Sequence, residues 1–208
     1  MTTRLLILGF WIFAFLPAFG QNRPYFNQTE LGALIGNPIE NWSGKNKNRV
    51  DFSLITFHGA QISKNQVLGL SVGLDQYETL TVFPVALGWR GFLGKENRPQ
   101  LIGGFDLGGG FALLEKKEKT EWHESWHQGG LLLSPSIGVK LPSTRGKKTA
   151  LTMSIAYKRQ ELGYFMGNFD FNPTPRPFTN SKLPPGYSSI TETTYLFHSL
   201  VARMGFIF

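Results

Sequence analysis

The sequence predicts an all-β fold, an eight-stranded antiparallel up-and-down barrel. Three observations predict it. Apolar residues alternate with small or polar ones along most of the chain, 24 glycines accompany 18 phenylalanines, and no apolar stripe of helical period lasts more than two turns. Because successive side chains of a strand point to opposite faces, this alternation gives each strand one apolar face and one face of small residues.

The beginning of the chain is expected to be a signal peptide. Arg4 precedes an apolar run at 5–16, Pro17 ends that run, and small residues surround a cleavage point after Gly20. The run is too short to cross a hydrocarbon core of about 30 Å as a helix. The expected organisation is a cleaved signal peptide at 1–20, followed by one barrel domain at 21–208.

Composition excludes several classes of protein. The chain has no cysteine, which excludes disulfides, cysteine metal sites and a lipid-anchored cysteine. Its formal charge is +7, but the basic residues are scattered or lie in short turns such as 94–99 and 143–148. No basic helix is predicted, so nucleic acid is not an expected partner.

Eight segments carry the strand pattern. Five alternate clearly, at 68–75, 105–113, 131–141, 151–158 and 196–208, and three more lie at 25–36, 50–62 and 80–93. The faces of segment 50–62 cannot be assigned from its residues. Short polar connections at 63–66, 94–99 and 142–149 alternate with connections at 37–49, 75–79, 115–129 and 161–194, three of which are long. Short turns and both termini at one end, with long loops at the other, are the layout of outer-membrane barrels.

The residues opposite the apolar face indicate which face is inside. A soluble barrel with an apolar interior would need a solvent-facing surface dense in charged residues. Here that face is mostly Gly, Ser and Ala with about one charge per strand, which suits the narrow interior of an eight-stranded barrel. We therefore predict a transmembrane barrel with its apolar face towards lipid. Its predicted lumen charges are Glu30, Asp75, Asp106, Arg90, Lys140, Lys158 and Arg203.

Two stretches carry a family resemblance. Residues 72–91 read VGLDQYETLTVFPVALGWRG, and Met204, Phe206 and Phe208 alternate in the final strand. The chain resembles the small outer-membrane β-barrel family of Gram-negative bacteria, of the OmpA/OmpX-like or PorT-like kind. The resemblance implies residence in the cell outer membrane, contact with its lipid bilayer, and recognition by the barrel assembly machinery through Phe208. It implies no single activity.

The pentapeptide His123–His127, HESWH, matches the zinc protease motif H-E-x-x-H. That motif requires a helix, and catalytic zinc requires a third protein ligand. The third histidine of the extended motif would fall at Leu133, and no acidic residue lies between Glu124 and Glu161. We therefore interpret the motif as part of an extracellular loop at 115–129, and we regard metal binding by its histidines as adventitious.

A second enzymatic interpretation uses histidine and serine on the outer surface of a barrel, as in lipid-modifying enzymes. His198 and Ser199 are adjacent, so they point to opposite faces of a strand and form no dyad. His58 has no serine partner that the sequence can place. No catalytic, cofactor-binding or metal-ligating residue is therefore assigned.

The predicted function is a non-enzymatic, monomeric barrel with a closed lumen. Its role would be structural, or would lie in surface interaction with a protein partner through loops 115–129 and 161–194. Three alternatives stay open: a surface enzyme acting on lipid or peptide, a narrow transport barrel, and an accessory component of a secretion apparatus.

Overall fold

A computed structural model describes residues 24–36, 49–77, 80–95, 97–142, 149–170, 183–184 and 186–208. The predicted signal peptide at 1–20 lies outside the described residues, as do most of the connections predicted at 37–49 and 142–149. Within the described ranges, no helix has the length and apolar character needed to cross a membrane.

Nine strands are present in the described part of the chain: β1 (Tyr25–Gly36), β2 (Arg49–Ser63), β3 (Gln66–Tyr77), β4 (Leu80–Leu93), β5 (Gln100–Phe111), β6 (Glu118–Lys119), β7 (His123–Lys140), β8 (Ala150–Phe169) and β9 (Tyr187–Ile207). All pairings between them are antiparallel. The all-β, antiparallel prediction is confirmed.

Eight of the strands pair in a closed ring. Consecutive strands pair from β1 to β5, β5 pairs with β7, and β7, β8 and β9 follow in order. The ring closes where β9 pairs with β1, from Gln28 opposite Ile207 to Gly36 opposite Ser199. The two-residue β6 adds only to the start of β7. Closure leaves the ring without a free sheet edge where all eight strands meet.

The ring is staggered. If each residue is followed to its directly paired neighbour on the next strand, a path that starts at Asn27 on β1 reaches His198 on β9. Ser199, which follows His198 on β9, pairs with Gly36, nine residues beyond Asn27 on β1. A stagger of this kind tilts the strands relative to the barrel axis.

Several predicted connections are corrected by the strand ends. The predicted turn at 63–66 is confirmed between β2 and β3, whereas residues 75–77 of the predicted 75–79 connection belong to β3. The predicted loop at 115–129 is wrong from residue 123 onward, and half of the predicted loop at 161–194 is wrong as well, since residues 161–169 and 187–194 are strand. The segments 161–169 and 187–194 are rich in Tyr, Phe and Thr, which favour strands, and each of the three segments pairs with its neighbour.

The extra strand length forms an extension beyond the ring. The last described pairing of β9 with β1 is Ser199 opposite Gly36, and β5 pairs with β7 only up to Gly110 opposite Gly130. In the described part of the chain, residues 187–198 of β9 pair with β8 but not with β1, and since Tyr195 and Phe197 still pack in the lumen, the part beyond the ring is 187–194, about 27 Å at about 3.4 Å per residue. We call this end of the barrel the extended end and the opposite end, where β1 begins and β9 ends, the turn end.

The faces of the strands agree with the prediction. Large apolar side chains point outward from every strand of the ring and are exposed, among them Leu31, Phe52, Leu54, Leu70, Val85, Leu87, Leu107, Ile137, Ile155, Leu200 and Met204. The opposite face is buried and carries charged, hydroxyl and glycine residues. In β2, which the sequence left unassigned, Ser53, Ile55 and Phe57 are buried inside.

The lumen also contains large apolar residues that the sequence did not predict there. One apolar layer lies at the extended end and comprises Leu34, Tyr77, Leu80, Val82, Ala156, Leu162, Phe197 and Val201. A second lies at the turn end and comprises Phe57, Val67, Phe92, Ile102, Ala150 and Ile207. Along β4 and β9 the buried charges Arg90 and Arg203 lie between residues of these two layers, which defines a charged middle level, and Lys158 of β8 borders it between Ala156 and Leu162 of the extended-end layer.

Candidate functional site

The middle level of the lumen centres on Arg90 of β4 and Asp106 of β5. Arg90 is 2% exposed and Asp106 is 0% exposed. The guanidinium donates to both carboxylate oxygens, Nη1 to Oδ1 at 2.9 Å and Nη2 to Oδ2 at 3.0 Å. Ser71 donates to Asp106 at 2.6 Å, and the guanidinium lies 4.4 Å from the ring centroid of Phe57. A bidentate pair of this kind is among the strongest hydrogen-bonded ion pairs in proteins.

The second ion pair of this level joins Lys158 of β8 to Asp75 of β3, which lie on separate parts of the ring. The ammonium of Lys158 donates to Oδ2 of Asp75. Ser53 donates to the other carboxylate oxygen at 2.7 Å. Both charged side chains are fully buried, so the pair connects strands across the interior.

The other predicted lumen charges have polar or aromatic neighbours. Ser154 donates to Glu30 at 3.0 Å, and Arg203 donates to Ser134 at 3.5 Å. The ammonium of Lys140 lies 5.5 Å from the ring centroid of Phe92 at the turn end. All seven charges predicted for the lumen therefore lie on the inner face.

One charged pair near the extended end was missed by the sequence analysis. Arg49 forms an ion pair with Asp51 and donates to Ser199 at 2.9 Å. Its guanidinium lies 4.8 Å from the ring centroid of Tyr77 and 5.1 Å from that of Phe197. The sequence pattern that could have indicated this pair is the alternation of Arg49 and Asp51 with Val50 and Phe52, at the start of the strand whose faces were unassigned.

The HESWH motif lies on β7 and not in a loop or a helix. Residues four apart on a strand are separated by about 13 Å, so the two histidines cannot bind one zinc ion. Alternation also places Glu124 on the opposite face from His123 and His127. No group of three or more His, Asp or Glu residues that could hold a metal occurs in the described ranges.

Each residue of the motif has a neighbour of another kind. His123 lies 3.1 Å from the hydroxyl of Thr120, and the ring of His127 lies 5.1 Å from that of Tyr164. Glu124 accepts a hydrogen bond of 2.9 Å from the hydroxyl of Tyr187. The motif thus contributes to pairing and packing within the extension.

An aromatic cluster covers the outward face of the extension near this glutamate. Trp126 stacks on Phe165 with centroids 5.5 Å apart and an interplanar angle of 7°. Tyr187 stacks on Phe169 at 5.6 Å and lies 6.3 Å from Trp126. Cross-strand aromatic pairs stabilise sheets, which explains why three strands continue beyond the ring.

The contact between Tyr187 and Glu124 predicts a pH dependence. The hydrogen bond to the Glu124 carboxylate raises the pKa of Tyr187 above its ordinary value, because the neutral hydroxyl is the form that donates. The stability that this contact adds is therefore fully present below the ordinary tyrosine pKa and is lost as the pH rises through the raised pKa. In Glu124→Gln, we expect the pKa of Tyr187 to fall towards its ordinary value, measured by tyrosinate absorbance against Tyr187→Phe as the blank. An unchanged titration would contradict the contact.

The two remaining histidines of interest lie on the outer wall of the ring. His198 contacts the hydroxyl of Tyr157, whereas Ser199 is buried in the lumen, so the two residues lie on opposite faces of β9 as predicted. His58 has a hydroxyl partner that the sequence analysis missed, since its Nε2 lies 3.1 Å from the hydroxyl of Thr56. The signal was the spacing of two residues, which places both on one face of β2.

The pair formed by Thr56 and His58 lacks the oxyanion-stabilising donors of an acyl-transfer site. Such sites stabilise an oxyanion with N–H donors, often from the main chain. Thr56 and His58 lie in the middle of ladders with β1 and β3, where the main-chain N–H groups of β2 are used in pairing. The pair is better suited to binding than to hydrolysis.

Comparison with known proteins found no matching family model and no matching curated protein. Among solved structures, the chain is similar to the outer membrane protein OprG from Pseudomonas aeruginosa, with 10% identity, a TM-score of 0.49, and coverage of 88% of this chain and 93% of that one. It is also similar to the outer membrane protein AlkL in DMPC lipid bilayers, with 12% identity, a TM-score of 0.46 and 91% coverage of each chain. A third similarity is to the translocator domain of the autotransporter NalP from Neisseria meningitidis, with 11% identity and a TM-score of 0.25, covering 100% of this chain and 96% of that one.

Proposed function

We propose that this protein is a non-enzymatic outer-membrane β-barrel with a closed lumen, whose strand extension serves surface interaction. The observation that carries the proposal is the distribution of polarity. Charged residues such as Arg90 and Asp106 are buried inside, while large apolar residues such as Leu87 and Leu107 are exposed outside. This arrangement suits a lipid environment, because a closed ring satisfies its own main-chain hydrogen bonds and presents apolar side chains to the bilayer.

The extended end would face the outside of the cell and the turn end the periplasm. Membrane barrels of this kind have short periplasmic turns and longer extracellular segments. The aromatic cluster of Trp126, Phe165, Phe169 and Tyr187 would then lie on the cell surface side. We propose that the extension, rather than loops at 115–129 and 161–194, carries contacts with a protein partner.

Membrane residence is tested by cell fractionation. We expect the protein to sediment with the outer membrane and to migrate faster in SDS before heating than after it, because a closed barrel resists the detergent. Recovery of the folded protein in the soluble periplasmic fraction would overturn the proposal.

A closed lumen predicts the absence of porin-like conduction. Two buried apolar layers and the buried Arg90–Asp106 pair support closure, because a ring of this size leaves an interior that side chains can occupy. We expect planar bilayers containing the protein to show no stable porin-sized current steps. Reproducible steps that scale with the amount of folded barrel would contradict closure.

A further inference from the structure

A polar patch interrupts the apolar outer wall near the turn end. We call it the polar notch, and it comprises Tyr25, Asn27 and Thr29 of β1 with Thr56 and His58 of β2. His58 Nδ1 contacts the hydroxyl of Tyr25 and lies 3.2 Å from the amide nitrogen of Asn27. The hydroxyls of Thr29 and Thr56 are 3.1 Å apart, and Thr56 also contacts His58. Five polar side chains thus form one hydrogen-bonded group on a surface that lipid would otherwise cover.

An apolar groove of about 760 Å³ lies beside the notch on the same wall. It crosses β2, β1, β9, β8 and β7, and its outward-facing lining consists of Leu31, Ala33, Phe52, Ile137, Val139, Met153, Ile155, Ala202 and Met204. Ala33 and Ala202 are directly paired. Since their neighbours on both strands are larger, these two alanines form the floor.

The notch and the groove are continuous. Thr29 lies two residues before Leu31 on β1, and Thr56 lies two residues after Leu54, which is paired with Leu31. Two strand residues span about 7 Å. A molecule with a polar end at Thr29 and Thr56 would therefore enter the groove directly with its apolar part.

We propose that this surface binds one glycerophospholipid of the periplasmic leaflet. Its ester and phosphate oxygens would accept hydrogen bonds from the notch, and one acyl chain would lie along β1 over Ala33 and Ala202. The volume lies within the range of small-molecule sites, about 300–1,000 Å³. This inference rests on the proposed outer-membrane location.

The chemistry of the surface favours a lipid over a second copy of the chain. A second copy would cover the groove, but the hydroxyl and amide donors of the notch that are left over after its internal hydrogen bonds would lose water without gaining an acceptor. A phospholipid matches both parts of the surface, because its oxygens lie at the membrane interface beside the notch and its acyl chain lies in the apolar band beside the groove.

The test is the amount of phospholipid that stays with the barrel after purification in mild detergent, counted by native mass spectrometry and lipid extraction. We expect about one lipid per wild-type barrel. His58→Leu removes the contacts that hold Tyr25, Asn27 and Thr56 in the notch. Because misplacing these groups costs one or two hydrogen bonds to the lipid, at about 1 kcal/mol each, the variant should retain about fivefold less lipid. Ala33→Leu combined with Ala202→Leu should also retain less, because leucine side chains fill the floor.

Two matched controls separate this site from general lipid contact. His198→Leu removes the other outward histidine that contacts a tyrosine, and Gly103→Leu enlarges an outward position where a Cβ has only Trp89 within 4 Å. Both should retain lipid as the wild type does. Equal retention in all variants, equal loss in the controls, a dimer in place of the lipid, or recovery of lysophospholipid alone would overturn the inference. If the wild type still shows heat-dependent migration, any of these outcomes counts against the lipid site alone and not against the proposed barrel. If the wild type shows no heat-dependent migration, the proposed barrel itself is wrong.

Discussion

Replacing Asp106 with alanine is expected to lower the free energy of unfolding by about 3–5 kcal/mol. The substitution leaves the buried guanidinium of Arg90 without its bidentate partner and leaves Ser71 without its acceptor. Both side chains are buried, so the remaining charge of Arg90 would be desolvated without a partner. The measurement is reversible urea unfolding in lipid vesicles, followed by tryptophan fluorescence and by heat-dependent migration.

Two comparisons show whether the loss comes from an unpaired buried charge. Arg90→Met combined with Asp106→Leu should recover most of the stability, since apolar residues of similar volume often replace a buried pair without loss. Glu161→Ala breaks the Arg159–Glu161 pair, whose side chains are 35% and 31% exposed, and should cost less than about 1 kcal/mol. Equal losses in Asp106→Ala and Glu161→Ala would mean that the lumen level does not stabilise the barrel.

The sequence predicted seven of the charges that lie inside and missed Arg49 and Asp51, and it could not predict the partners of any of them. Alternation assigned Asp75 and Lys158 to the same face as glycine and serine, because the face of a residue depends only on its position in its own strand. The pairing of Asp75 with Lys158 depends on the stagger of the whole ring, which brings strands far apart in the chain face to face. The residue pattern within a single strand carries no information about that stagger.

The apolar layers of the lumen were missed for a related reason. Phe197, Val201 and Ile207 interrupt the alternation of the last strand and seemed to weaken its pattern. The structure places all three inside, where they belong to the two apolar layers. Alternation identifies a strand only while its two faces differ in polarity. Where the inner face is apolar as well, the period of two disappears from the sequence.

The HESWH motif was interpreted as a loop because its charged surroundings suggested exposure and the stretch lay between two strong strand patterns. Its strand conformation depends on partners about forty residues away, such as Phe165 opposite Trp126 and Gly167 opposite Glu124. These contacts override the weak local preference for a loop. The polar notch was missed similarly, since Asn27 meets His58 only through the register of β1 and β2.

Replacing Gly108 with alanine is expected to destabilise the barrel by about 1–3 kcal/mol, the usual cost of overfilling a packed interior. Gly108 of β5 faces the lumen, and a Cβ added there would meet the Val85 carbonyl and lie 2.5 Å from the Cα of Ala86. Both contacts are with the main chain of β4, which cannot move without disturbing its ladder with β5. The same urea unfolding assay measures the effect.

Gly103→Ala is the matched control for Gly108→Ala. Gly103 lies five residues earlier on the same strand and therefore faces outward, where only Trp89 comes within 4 Å of an added Cβ, at 3.9 Å. Its substitution should change stability by no more than about 0.5 kcal/mol. Because both variants make the same chemical change in one strand, a difference between them measures how tightly the lumen is packed. Equal losses of stability in the two variants would mean that β4 and β5 separate easily at Gly108, and would contradict a closely packed lumen.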